Sequence, residues 1–202
     1  MRFCITQLRA GAVTLLLGLT PPPSGAAAPE LPVTADRCAI ETALTGRRPP
    51  ACPAPLAGAF GTARGAAPVA GFPRAAAAPG SLEEERGYFV RFAFDSDRLT
   101  ADYTAHLDRL SAVLKGPALT GSCLKLVGHA DSVGAPAYNL RLSRDRAAQV
   151  VAYLVARGGL AARRILTEAR GESQLLPGLP GPHPRNRRVE ILARAGTGDG
   201  CR

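Results

Sequence analysis

The chain of 202 residues has no tryptophan, a single methionine and no apolar run as long as a membrane-spanning helix. Since such a helix needs about 18 to 20 apolar residues, we expect no transmembrane segment in the mature chain. Enzyme signatures such as G-x-S-x-G and H-E-x-x-H are also missing, so we expect no catalytic residue and no enzymatic activity. Nothing in the sequence indicates a cofactor.

Metal-ligand patterns are sparse as well. The chain has no C-x-x-C pair, and its histidines, His106, His129 and His183, are scattered along it. A zinc site would require cysteines and histidines at closer and more regular spacing. We therefore predict no metal site and interpret the cysteines in another way.

Positive charge dominates the chain, which has 25 basic residues and a net charge of +9. Only Lys115 and Lys125 are lysines, but a GC-rich genome produces the same bias toward arginine, so the bias alone indicates no function. A nucleic-acid binder would carry such a charge, yet the basic residues are dispersed and aromatic residues make up only 5% of the chain. We expect no nucleic-acid partner.

The N-terminus has the pattern of an export signal. Two arginines precede an apolar stretch at residues 10–20, and small residues follow it. This arrangement predicts a secretory signal peptide over residues 1–28. Because Cys4 lies before the apolar stretch, it is not placed as a lipid-carrying cysteine, and we expect no lipid anchor.

Export changes what the remaining cysteines mean. Four remain after cleavage, and an even number in an oxidising compartment favours disulfides. Of the three possible pairings, we favour Cys38 with Cys52, which closes a short loop, and Cys123 with Cys201, which would attach the C-terminal tail to the domain.

Composition divides the mature chain into parts. Of the 28 residues at positions 53–80, 21 are Ala, Gly or Pro, and such a segment buries too little apolar area to offset the entropy of ordering it. We predict a linker at 53–85 between a short disulfide-closed segment at 29–52 and a folded domain at 86–195, followed by a tail at 196–202.

Within the folded domain, the hydrophobic period alternates between those of strands and helices. The predicted strands lie at residues 89–94, 123–128, 164–170 and 188–193, and the predicted helices at 99–114 and 139–156. The order βαβαββ predicts an α+β two-layer sandwich, with helices on one face of a mixed four-stranded sheet. A loop at 171–184 separates the last two strands.

The turn after the second predicted strand, GHADSVG at residues 128–134, holds a carboxylate that no apolar contact requires. In the helix that follows, Asn139 and Arg146 are two turns apart and therefore point the same way. We expect a pocket where Asp131, Asn139 and Arg146 converge. Each residue also has an ordinary structural interpretation: Asp131 as a turn cap, Arg146 as a solvated side chain and Asn139 as a helix N-cap.

Together with FAFDSDRL at 92–99, GES at 171–173 and NRRVEI at 186–191, the segment GHADSVGAPAYNLRLSRDRAAQVVAYL at 128–154 resembles the OmpA-like peptidoglycan-binding domain. The resemblance covers residues 87–194 and implies non-covalent binding of the cell wall through the diaminopimelate of its stem peptide. Asp131 matches the aspartate that receives the ligand's ammonium, and Arg146 the arginine that binds its carboxylate. Asn139 matches an asparagine beside the site, and Asp97 and Arg187 fall near two further contact positions.

Two residues depart from the pattern of that family. Ala130 stands where a threonine is usual, and His183 stands where an arginine is common. Both changes concern the affinity of the site more than its identity. A histidine there leads to the hypothesis that binding depends on pH between about 5.5 and 8.

The resemblance also predicts where the protein acts. We expect a periplasmic protein, associated with the cell wall or the outer membrane, whose partner is peptidoglycan and whose segment at 29–52 contacts another envelope protein. The alternatives are a basic secreted protein-interaction module whose pocket no longer binds cell wall, and an enzyme that acts on the wall. Hydrolysis of purified sacculi would identify the enzyme.

Overall fold

The computed structural model describes residues 28–53, 86–194 and 201. Apart from its last residue, the predicted signal peptide lies outside the described residues. So does the predicted linker after Pro53, and so does the predicted tail except for Cys201. These three boundaries stay predictions.

Four strands and three helices form the described part of the chain. The strands are β1 (Arg86–Arg91), β2 (Cys123–Gly128), β3 (Ile165–Ala169) and β4 (Arg188–Arg194). The helices are α1 (Arg37–Thr45), α2 (Ala101–Leu114) and α3 (Pro136–Ala156), with short 3-10 helices at Ala162–Arg164 and Pro184–Asn186.

The strands form one mixed sheet in the order β1-β4-β2-β3. The last strand, β4, lies between β1 and β2 and is antiparallel to both, whereas β2 and β3 are parallel. The predicted mixed four-stranded α+β fold is therefore confirmed. Because β4 pairs with β2, it places the segment before Arg188 beside the end of β2, where the predicted pocket lies.

The first strand begins and ends earlier than its sequence pattern predicts. The alternation in residues 89–94 continues to Phe94, but the pairing of β1 with β4 ends at Arg91, opposite Arg188. Beyond it the chain turns at Asp95, which has a positive φ of 50°. Side-chain alternation thus extends beyond the backbone ladder that defines the strand.

The core lies between the sheet and the helices. Alternate residues of the strands, such as Leu124 and Leu126, are about 1% exposed or less and pack with leucines of α2 and α3. Burial of this kind is the main favourable contribution to folding. Nothing in the described ranges forms a helix that is both long and apolar enough to cross a membrane.

The N-terminal segment packs onto the same core. Ile40 and Leu44, one turn apart on α1, are fully buried there. The guanidinium of Arg109 donates from Nε to the carbonyl oxygen of Ala35 at 2.8 Å, and the ring of His106 lies 3.3 Å from the carbonyl oxygen of Val33. Sequence composition separates this segment from the folded domain. In the structure, however, the apolar side of α1 is buried against α2 and β1.

Both favoured cysteine pairings are present. Cys38 is bonded to Cys52, which links α1 to the loop after it. Cys123, at the start of β2, is bonded to Cys201. The first bond fastens α1 locally, whereas the second joins residues that are 78 positions apart.

Candidate functional site

The site is built where β2 ends and α3 begins. Gly128, the last residue of β2, lies so close to α3 that a Cβ atom would overlap the carbonyl oxygen of Ser143. Only glycine allows this approach. The Ser143 hydroxyl in turn accepts a hydrogen bond from the backbone N–H of Gly171, at 3.0 Å. The loop after β2 and the loop after β3 are thus fixed against the same helix.

Arg146 is fully buried on α3. Its guanidinium donates to three carbonyl oxygens: Nε to Ser96 at 2.8 Å, Nη1 to His129 at 3.0 Å and Nη2 to Ala93 at 3.1 Å. It also lies over the ring of Phe92, 5.6 Å from the centroid. The interpretation of Arg146 as a solvated side chain is therefore wrong, because carbonyl oxygens of two segments, the one after β1 and the one after β2, converge on its guanidinium.

The charge of Arg146 has no direct counter-ion in the part of the chain that the structure describes. No carboxylate oxygen there lies within 4.0 Å of its guanidinium nitrogens. Burial lowers the pKa of Arg146 to about 10, although the nearby Asp131 acts in the opposite direction. A buried cation whose only partners are neutral carbonyl oxygens is stabilised when an anion approaches it.

Asp131 is 4% exposed and forms an ion pair with Arg187. Its Oδ2 lies 2.9 Å from Nη1 of Arg187, and its Oδ1 accepts the backbone N–H of Val133 at 3.2 Å. Arg187 also donates from Nε to the carbonyl oxygen of Phe92 at 3.3 Å. Asp131 therefore caps its own turn with one oxygen and pairs with the guanidinium of Arg187 through the other.

Asn139 holds the loop in place from the first turn of α3. Its amide nitrogen lies 3.1 Å from the carbonyl oxygens of Asp131 and Val133 and 2.5 Å from Oε2 of Glu172. The interpretation of Asn139 as an N-cap is wrong, since the cap is Ala135 and the helix begins three residues earlier, at a proline. Sequence reasoning missed Glu172, which lies in the loop after β3.

Asp97 lies farther out than the other predicted residues. It is half-buried, and within residues 86–194 it forms no hydrogen bond or ion pair. Its charge is nevertheless close enough to help keep Arg146 protonated. The structure therefore places Asp97 in the electrostatic surroundings of the cleft and not in its lining.

Four of the five predicted residues, Asp131, Asn139, Arg146 and Arg187, line one small cleft. Its volume is about 20 Å³, which is room for one water molecule. Sequence reasoning missed the other polar and apolar lining residues, which include Phe94, Asp95, Val133, Tyr138 and Leu142.

The rim of the cleft is unusually apolar. Phe94 is 59% exposed, Val133 43% and Tyr138 40%, and each of them lines the cleft. The Tyr138 hydroxyl donates a hydrogen bond to Asp95, and this bond raises the pKa of Tyr138. Phe94 is the last residue of the strand that the alternating pattern predicts, and alternation does not show where strand pairing stops, so its exposure could not be predicted.

The two departures from the family pattern occupy different places. Ala130 lines the cleft and donates its N–H to the carbonyl oxygen of Gly171 at 2.7 Å. His183 lies outside the lining, where its Nδ1 accepts the backbone N–H of Arg185 at 3.2 Å and caps a 3-10 helix. A pH effect of His183 would therefore have to act through the loop and not by contact in the cleft.

Two adjacent arginines have different partners: Arg187, just before β4, and Arg188, the first residue of β4. Arg187 faces Asp131, whereas Arg188 is 3% exposed and pairs with Glu190 at 2.7 Å. The ring of His129 lies next to this pair, with Nε2 3.5 Å from Oε1 of Glu190. A buried charged cluster thus lies beside the loop after β2. None of the described residues form a group with three or more potential metal ligands.

Comparison with known proteins finds similarity to one family. Residues 91–187 match the model of the OmpA family. Outer membrane protein A of Bordetella avium is 35% identical over 126 residues, which are 61% of this chain and 63% of that protein. Outer membrane protein A of Shimwellia blattae is 35% identical over 89 residues, 44% of this chain and 36% of that protein. The chain spans less than two thirds of the length of either relative.

Solved structures include similar chains. The peptidoglycan-associated lipoprotein from Burkholderia pseudomallei is 24% identical, with a TM-score of 0.45, over 52% of this chain and 89% of that chain.

Proposed function

From the presence of an OmpA-like domain in residues 91–187, we propose that this protein binds peptidoglycan non-covalently and tethers the envelope component that carries it to the cell wall. The proposal places the protein in the periplasm, associated with the wall or the outer membrane. Its ligand is the diaminopimelate of the stem peptide. The protein binds and does not catalyse.

One observation carries the proposal: the buried guanidinium of Arg146 has no carboxylate partner among the described residues, although the carboxylate of Asp131 lines the same cleft. Diaminopimelate ends in an amino acid group that carries an ammonium and a carboxylate on one carbon. Asp131 receives the ammonium and Arg146 the carboxylate. Each charge-assisted hydrogen bond contributes on the order of 1.5 to 3 kcal/mol.

Arg187 competes with the ligand for the carboxylate of Asp131. Because it is paired with Asp131 at 2.9 Å, the ligand's ammonium must share the carboxylate with it or displace it. Displaced from Asp131, the guanidinium of Arg187 is free to bind a second carboxylate of the ligand. The same ion pair and the small cleft favour the alternative function, a basic secreted protein-interaction module whose pocket no longer binds cell wall.

A second contact, between residues 29–52 and another envelope protein, stays a prediction. The apolar side of α1 is buried in the core, so such a partner has to bind the outer surface of the segment. Arg47 and Arg48 are exposed there, in the loop that Cys38 and Cys52 close.

Co-sedimentation of residues 29–202 with diaminopimelate-type peptidoglycan tests the proposal. Asp131→Asn removes the charge with little change of shape, and Arg146→Lys keeps the charge but loses the planar fork. Arg144→Ala is the matched control, since Arg144 is exposed on the same helix and lies outside the cleft. Circular dichroism and thermal melting show that each variant is folded.

We expect both cleft variants to lose about tenfold or more in affinity, while Arg144→Ala binds like the unmodified chain. The difference should persist at about 0.3 M salt, where attraction between the basic surface and the wall is screened. Equal pelleting of all the variants would show that only the surface charge binds, and would favour the alternative function.

A further inference from the structure

The side-chain amide of Asn139 lies among more acceptors than it has protons. Its nitrogen is within 3.1 Å of the carbonyl oxygens of Asp131 and Val133, and at 2.5 Å from Oε2 of Glu172. An amide nitrogen has only two N–H groups. Because the carboxylate is the closest acceptor and is charged, it accepts one N–H alone, and the two carbonyls share the other in a three-centre bond. Glu172 thus fixes the plane of the amide and the direction of its second N–H.

The shared N–H holds the part of the loop that carries the predicted contact with the ligand. Asp131 and Val133 are also joined to each other, since Oδ1 of Asp131 accepts the backbone N–H of Val133 at 3.2 Å. Asn139 is 2% exposed, so its hydrogen bonds are shielded from water. Rotation of the amide would therefore move this turn as a unit, together with the carboxylate that lines the cleft.

Glu172 is itself fixed against α3 by the residue before it. Gly171 donates its N–H to the Ser143 hydroxyl at 3.0 Å, and a Cβ atom on Gly171 would lie 3.1 Å from the backbone nitrogen of Leu140. The loop after β3 therefore lies directly against the helix. Glu172 is half-buried and does not line the cleft, so it acts on the site through Asn139 and not by touching the ligand.

We propose that Glu172 is a positioning residue of the peptidoglycan site. Its carboxylate orients the amide of Asn139, and the amide holds Asp131 where the ammonium of the ligand binds. The effect is confined to that end of the ligand, because the guanidinium of Arg146, which binds the carboxylate, is held by three other carbonyl oxygens. This inference rests on the proposed function.

Two ligands separate the two ends of the site in isothermal titration calorimetry on residues 29–202. One is a stem peptide with diaminopimelate, and in the other a hydrogen atom replaces the terminal amino group of the diaminopimelate. The ratio of the two dissociation constants therefore measures the contact with the ammonium.

Three variants test the role of Glu172. Glu172→Asp keeps the charge but is one methylene too short to reach Asn139, whereas Glu172→Gln keeps the length and an acceptor oxygen but loses the charge. Asp145→Ala is the control, since Asp145 is exposed on α3 and lies outside the cleft. Thermal melting shows that each variant is folded.

We expect the unmodified chain to bind the diaminopimelate peptide about tenfold or more tightly than the peptide without the amino group. Glu172→Asp should lower this ratio to about threefold or less, and should leave the affinity for the second peptide within about twofold of that of the unmodified chain. Glu172→Gln and Asp145→Ala should keep the ratio.

Three outcomes would overturn the positioning role while the proposed function stands. The first is an unchanged ratio in Glu172→Asp, and the second is an equal loss of affinity for both peptides, which indicates a purely structural role. The third is loss of the ratio in Glu172→Gln but not in Glu172→Asp, which would assign the effect to charge. If the unmodified chain bound neither peptide, the proposed function itself would fail, and the positioning role with it.

Discussion

Nη1 of Arg187 lies 2.9 Å from Oδ2 of Asp131, so the carboxylate in the loop after β2 is paired with a residue 56 positions later in the chain. The pair joins the loop after β2 to the residue before β4. Both side chains are largely buried, with 14% and 5% of their surfaces exposed. The site therefore carries an internal ion pair that also connects two parts of the fold.

This ion pair predicts coupling between the two positions. Arg187→Met should lower the free energy of unfolding by about 1 to 3 kcal/mol, because it leaves a buried carboxylate without its cation. Asp131→Asn should cost less in the Arg187→Met background than in the unmodified chain, with a coupling free energy of about 1 kcal/mol or more. Urea denaturation of the two single variants and the double variant measures it, and additive effects would contradict the pairing.

Arg146 predicts a stability effect that is independent of any ligand. Arg146→Lys should lower the free energy of unfolding by roughly 2 to 4 kcal/mol, because one ammonium cannot replace the three donations to Ser96, His129 and Ala93. Arg144→Lys on the exposed face of α3 should change it by less than about 0.5 kcal/mol. Similar values for both substitutions would argue against a buried role for Arg146.

Much of this arrangement could be predicted from local patterns. The alternation in β2 predicts its bounds as the structure has them, and the two-turn spacing of Asn139 and Arg146 predicts that they face one cleft. The position of Arg187 followed from a family resemblance. Phe94 could not be predicted as exposed, because periodicity shows which side chains alternate and not where the strand pairing stops.

Two other features depend on contacts that are distant in the sequence. Helix α1 has only nine residues, and short helices are stable mainly through packing, here through Ile40 and Leu44 on the core. Glu172 reaches Asn139 from a loop after β3, and nothing in its own surroundings indicates that contact. Both are consequences of tertiary packing.

The buried cluster of Glu190, Arg188 and His129 predicts loss of stability in acid. Burial alone would raise the pKa of Glu190, but its interactions with His129 and Arg188 lower it to about 2, from 4.5. The stabilisation is complete above pH 4.5 and is lost as the pH falls toward 2; it amounts to roughly 3 kcal/mol. Burial also lowers the pKa of His129, so the folded protein takes up this proton less readily than the unfolded chain does. The stability of the fold therefore also declines as the pH falls below 6.5.

Thermal melting between pH 7 and 3 measures this dependence. Glu190→Gln should be less stable than the unmodified chain at pH 7, since Arg188 loses its carboxylate, and the difference should shrink as the pH falls below about 4.5. His106 is a second buried histidine with a lowered pKa, so it remains unchanged in both proteins and its contribution cancels. A constant difference across the range would contradict the assignment to Glu190.

The N-terminal segment predicts that the domain depends on residues outside the range that matches the OmpA family. Leu44→Ala should lower the free energy of unfolding by about 2 to 5 kcal/mol, because it leaves a cavity beside α2 and β1. Arg47→Ala, three residues later and exposed, should change it little.

The disulfide of this segment contributes separately. Opening the loop with Cys38→Ser and Cys52→Ser should lower the free energy of unfolding by about 3 kcal/mol or less. If Leu44→Ala melted like the unmodified chain, α1 would be an attachment and not a part of the core. A chain that starts at residue 86 would then be sufficient for binding studies, whereas a large loss requires the complete segment.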